Sequence, residues 1–165
     1  MKPLAITITL ASALTVFAAM PSAVAAEDPS LQRLALCQDS WFDFKDDDAR
    51  MTRFAGYFEG RFDRDAQGAG FSPKQRVQAL GYNVTQVYPQ SVGMGVGFSL
   101  VINADFAQAR AAVEKQLGKP MSCTTSDGMR ACEAPIGEKK TAMLITGQNG
   151  AGKTSLVGCY YFYQQ

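Results

Sequence analysis

The stretch GQNGAGKTSLVGCYYFY, residues 147–163, decides between two folds. Its first half, Gly147 to Thr154, satisfies the phosphate-loop pattern G-x-x-x-x-G-K-[ST]. A working phosphate loop stands between a strand and a helix whose first amides hold the phosphates. Residues 141–146 read as the strand. The residues after Thr154 combine Val, Gly and a dense aromatic run, a composition that suits a second strand and not a helix. The segment is therefore expected to be a glycine-rich hairpin loop carrying Lys153, turned by Asn149-Gly150 and Gly152. On this reading the chain binds no ATP, requires no cofactor, and is antiparallel where a phosphate-loop protein would be parallel.

The same strand signals recur upstream. Residues 92–102, VGMGVGFSLVI, alternate Val92, Met94, Val96, Phe98, Leu100 and Ile102 on one face with Gly93, Gly95, Gly97 and Ser99 on the other. Further strands are expected at 77–80, 82–88 (stopped by Pro89), 121–124, 130–134, 141–146 and 154–163. A helix over 105–117 places Phe106, Ala109, Val113 and Leu117 inward and ends at Gly118, with Pro120 beyond. Near the start, Asp28-Pro29 reads as an N-cap with Pro at the first helical position, opening a helix over 29–44. A second helix opens at Asp46-Asp47-Asp48 and turns Met51, Phe54, Ala55, Phe58 and Phe62 to the core, with Gln67–Gly70 closing it. Strands in hairpin order with helices set apart define an α+β fold: a mostly antiparallel β-sheet with two N-terminal helices and one helix between strands.

The first residues are of another kind. Lys2 precedes an apolar run ending in Pro21 and the small residues Ser22–Ala26. This is the layout of a secretory signal peptide, residues 1–26, cleaved after Ala25 or Ala26. The run is short for a membrane span, so no stable membrane insertion is expected after cleavage. The remaining residues, 27–165, are the size of a single α+β domain, placed in the periplasm or secreted. The chain carries 16 Lys and Arg against 15 Asp and Glu. Loss of Lys2 leaves them balanced, which gives no global attraction for nucleic acid.

All 4 cysteines lie beyond the leader, and an even count in an exported chain reads as two disulfides. Three connectivities exist. Cys123 and Cys132 flank the turn dipeptide Asp127-Gly128, which favours Cys123–Cys132 and leaves Cys37–Cys159. With 0 His and no CxxC, no zinc site is expected, and Ser-His-Asp or Cys-His chemistry is excluded. The segment DRDAQG, with Asp63, Asp65, Gln67 and Gly68 at the first calcium-loop positions, has Lys74 where a bidentate Glu belongs, so no metal is expected there either.

Two features remain for function. At helical spacing Arg50, Arg53, Tyr57, Arg61 and Arg64 form one stripe beside the apolar face of the second helix. Arg and Tyr together are the residue types of binding hot spots, and the charge suits an acidic protein partner. An ordinary solvated helix edge gives the same pattern. The glycine stripe Gly93, Gly95, Gly97 is either a place where rings of the aromatic tail pack closely or a floor for a ligand; close packing is the preferred reading. Together these point to a non-catalytic protein-binding module, such as an inhibitor or immunity protein against an envelope-acting toxin or hydrolase. The alternatives are an envelope enzyme acting on cell-wall polymer through carboxylates, and a small-ligand or lipid carrier.

Overall fold

The computed structural model describes residues 26–39, 56–66, 70–92, 95–146 and 152–162. Ten strands and three helical segments are found among them. The strands are β1 (Ala26–Glu27), β2 (Phe62–Arg64), β3 (Phe71–Pro73), β4 (Val77–Ala79), β5 (Tyr82–Val92), β6 (Gly95–Ile102), β7 (Ser122–Ser126), β8 (Met129–Pro135), β9 (Lys140–Thr146) and β10 (Ser155–Phe162). The helices are α1 (Pro29–Ala35), α2 (residues 56–61) and α3 (Phe106–Leu117).

The main sheet runs β1-β4-β5-β6-β10-β9-β8-β7, with β2 and β3 branching from β5. Every pairing is antiparallel except β1 with β4. Two meanders, β4-β5-β6 and β7-β8-β9-β10, are thus joined where β10 lies against β6. This pairing settles the fold of the glycine-rich segment. Ser155 stands opposite both Thr146 of β9 and Ile102 of β6, so a strand succeeds the glycines and no helix N-terminus faces Lys153. Residues 147–151 lie outside the described residues.

Alternation along the strands sorts the sheet into two faces. Phe98, Leu100 and Ile102 of β6, Val157 and Cys159 of β10, and Leu144 of β9 are buried on one face. α1 and α3 cover that face, supplying Leu31, Leu34, Phe106, Ala109 and Val113. The other face carries Val101, Leu156, Ile145 and Ala131 in one cross-strand row, all half-buried.

Two disulfides staple the layers. Cys37 joins Cys159 across 122 positions of sequence, and Cys123 joins Cys132 directly opposite it in the β7–β8 hairpin. In the chain-entropy model the long loop restricts the unfolded chain by about 5 kcal/mol and the short one by about 3.

α3 forms as its sequence dictates. Asp105 and Gln108 make a reciprocal capping box, and Gly118 ends the helix in the left-handed conformation, φ 67°. Elsewhere the structure corrects the expected boundaries. The first helix stops at Ala35 and does not run to 44. Cys37, φ 60°, is the left-handed residue of a C-terminal motif in which its N–H donates to Leu34 O and that of Gln38 to Arg33 O. Glycine is usual there; this turn instead carries the Cys37 sulfur to β10. Trp41 and Phe44 lie outside the described residues.

The second helix ends at residue 61, not at 67–70. Phe62, Asp63 and Arg64 pair with Phe71–Pro73 as a short hairpin. Phe62 stays buried against Phe58, ring centroids 5.1 Å apart, so the aromatic period continues while the backbone becomes extended. Pro89 does not stop β5, which continues to Val92; Pro89 faces Phe98 of β6. Proline lacks a donor, and it is tolerated where a strand has a neighbour on one side only. The strand expected from Val92 begins at Gly95, because Val92 belongs to β5 and pairs with it.

Candidate partner-binding site

The arginine–tyrosine stripe is only partly a helix stripe. Arg50 and Arg53 lie outside the described residues. Tyr57 and Arg61 sit one turn apart on α2. Arg64 is a strand residue of β2 and is placed beside them by the α2–β2 junction, not by helical periodicity.

What organises Tyr57 and Arg61 is Asp28, which the sequence marks only as a helix cap. Asp28 Oδ1 accepts the N–H groups of Ser30 (3.0 Å) and Leu31 (3.3 Å), as an N-cap should. Its Oδ2 accepts the Tyr57 hydroxyl at 2.5 Å and the Arg61 guanidinium at 2.8 Å. The Asp28 side chain is 6% exposed and that of Arg61 50%. A buried carboxylate is thus satisfied on both oxygens while its arginine keeps half its surface in water. Burial, and then the bond to Asp28, push the Tyr57 hydroxyl well above the ordinary tyrosine range; Arg61 opposes this.

Each arginine also lies on an aromatic face. The Arg61 guanidinium is 4.5 Å from the Tyr57 ring centroid, and that of Arg64 is 5.2 Å from Phe71. Phe71 in turn touches Phe58, whose ring is 5.0 Å away. Two exposed cations are therefore held over an aromatic cluster rooted in the core. Held side chains lose less entropy on binding than free ones. Lys74, across the β2–β3 hairpin, pairs with Asp63 at 3.6 Å. That places a cation at Asp63 itself, where the calcium reading needed a ligand.

The glycine stripe has a partner. Gly97 of β6 stands directly opposite Tyr160 of β10. A Cβ at residue 97 would lie 2.8 Å from Tyr160 Cδ1, so the ring occupies the space that a glycine floor would offer a ligand. Gly95 begins β6 opposite Val92, and Gly93 lies outside the described residues.

A groove of about 630 Å³ lies between the β4–β5 turn and α3, a feature that the sequence did not signal. Leu80, Tyr82 and Ala112 give it apolar walls, and Lys115 is the charged residue lining it. No carboxylate is among its described lining residues. Leu80 adopts φ 59° in this turn, its N–H held by Gln32 Oε1 at 3.1 Å and that of Gly81 by Glu27 Oε1 at 2.8 Å.

Among the described residues no three His, Cys, Asp or Glu side chains cluster as a metal site would require, and no helix is long and apolar enough to cross a membrane. Comparison with protein-family models, curated proteins and solved structures gives no significant match to this chain.

Proposed function

We propose that this chain is an exported, non-catalytic binding module that recognises an acidic surface on another protein, in the manner of an inhibitor or immunity protein of the cell envelope. The observation that carries the reading is the pair of arginines, Arg61 and Arg64, each laid on an aromatic ring, the first also anchored by the buried Asp28. Arginine and tyrosine dominate binding hot spots, and fixed geometry lowers the ordering cost of association. Two disulfides suit an oxidising compartment such as the periplasm. A cut after Ala25 leaves β1 whole, whereas a cut after Ala26 removes one of its two residues.

The test is affinity capture. The oxidised protein, purified with its native N-terminus, is exposed to periplasmic and secreted extracts, and bound proteins are identified by mass spectrometry. A stoichiometric partner whose affinity falls at least tenfold with R61E/R64E supports the reading. A partner indifferent to both reversals moves the binding surface elsewhere. Failure to capture any protein at low or high salt counts against a binding module.

A further inference from the structure

The outer edge of the sheet is β7, and its geometry points to self-pairing. Asp127 and Gly128, with φ 52° and 77°, form the two-residue turn between β7 and β8, closed by Ser126 opposite Met129. Such a turn is closed by a hydrogen-bonded pair. Alternation then makes Thr125–Arg130 and Cys123–Cys132 the non-hydrogen-bonded pairs of this ladder. The N–H and C=O of Thr125 and Cys123 consequently point away from β8, out of the sheet.

At Met121, just before the strand, the edge is already covered. Met121 N–H donates to Glu114 Oε1 at 2.9 Å, and its carbonyl accepts from Arg110 at 3.5 Å. Arg110 and Glu114 of α3 hold each other at 2.8 Å. The helix therefore closes the start of the edge and leaves the outward groups of Cys123 and Thr125 beyond it. Every residue of β7 is exposed. Its sequence, SCTTS, has no charge and no proline, the usual devices that blunt an edge strand.

We propose that β7 pairs antiparallel with β7 of a second copy, about a two-fold axis through Thr124. The spacing of the outward groups selects this register. Cys123 meets Thr125 of the second copy, and Thr125 meets its Cys123, which uses the outward groups of both residues in each chain. Thr124 then faces its own counterpart, a favourable cross-strand pair, and Ser122 faces Ser126. The charges flanking the strand agree with the direction. Lys119 precedes it and Asp127 comes after it, so antiparallel pairing brings unlike charges toward each end, while parallel pairing would bring like charges together. The half-buried row Leu156–Ile145–Ala131 ends at Thr124 on this edge and would continue into the second sheet. This inference does not depend on the arginine surface.

The experiment is sedimentation of the oxidised protein from micromolar to millimolar concentration, with amide hydrogen exchange at both ends of the range. A monomer–dimer equilibrium is expected, with the Cys123 and Thr125 amides slowing as concentration rises. Ser126, bonded within its own hairpin, should be unchanged. Thr125→Pro removes an outward donor without touching the β7–β8 ladder and should abolish the dimer. Thr124→Lys sets two like charges face to face on the axis and should do the same. A protein monomeric throughout, a dimer indifferent to both variants, or amides protected only when a different protein is added would each overturn self-pairing.

Discussion

Tyr160 stands opposite Gly97 in the central β6–β10 pair, and its ring lies where a side chain at 97 would begin. Glycine weakens a strand, and an aromatic residue packed across it restores some of the lost contact. Gly97→Ala is expected to cost about 1–3 kcal/mol, since the new methyl group must move a ring in a packed region. Combining it with Tyr160→Ala should cost less than the sum of the two single changes. Urea unfolding of the four proteins in this cycle measures the coupling; simple additivity would show that the ring is free to swing aside.

Asp28 links α1 to α2 through a single carboxylate. Asp28→Ala removes a helix cap, worth about 1 kcal/mol, and a charge-assisted bond to the Tyr57 hydroxyl. The expected loss is about 2–4 kcal/mol in chemical denaturation. Asp28→Asn keeps a capping oxygen and should lose less. Equal losses for the two variants would assign the stability to the charge alone.

The Tyr57 hydroxyl resists ionisation in the folded state because burial and the neighbouring carboxylate disfavour its anion. Its pKa is raised above the unfolded value of about 10. The folded protein therefore holds the proton more tightly, and stability from this group is complete below pH ~10 and is lost as pH rises above it. Tyr160, raised by burial, acts in the same direction. Unfolding free energy measured from neutral to strongly alkaline pH should fall more steeply for the native protein than for Tyr57→Phe. Identical slopes would mean that Tyr57 ionises in the fold as it does in water.

The two disulfides should differ in worth. Replacing Cys37 and Cys159 by alanine is expected to cost about 5 kcal/mol, and replacing Cys123 and Cys132 about 3, from the lengths of the loops they close. Thermal unfolding of the two double variants tests the order. A reversed order would indicate that the hairpin bridge holds the outer strands together.

Much of this architecture is legible because its signals are local. Asp105, Gln108 and Gly118 define α3 without help from the rest of the chain, and Asp127-Gly128 announces the β7–β8 hairpin. The antiparallel reading of the glycine-rich loop rests on the residues immediately after it. What escapes the sequence is long-range. Phe62 keeps the helical spacing from Phe58 although its backbone is extended, because the aromatic cluster, not the helix, fixes its place. Cys37 ends α1 where the spacing of Leu34 and Cys37 continues the helical period, since the bond to Cys159 is invisible to periodicity. Asp28 displays its cap but not its partners, because Tyr57 is 29 residues away. The candidate site is built from those distant meetings, which is why only its residue types could be read in advance.

The position of β10 sets a timetable for the molecule. It is the last strand in the chain, yet it sits in the middle of the sheet and joins the two meanders. A chain emerging from its N-terminus can assemble each meander separately but cannot seal the sheet until residues 155–162 arrive. During that interval Cys37 has met Cys123 and Cys132 before Cys159 exists as a competitor. A tight local hairpin forms in microseconds, far faster than thiols oxidise, so Cys123 and Cys132 are held face to face from the outset. Cys37 is thereby left waiting for the strand that completes the sheet, and the final bond records that the whole chain has been delivered.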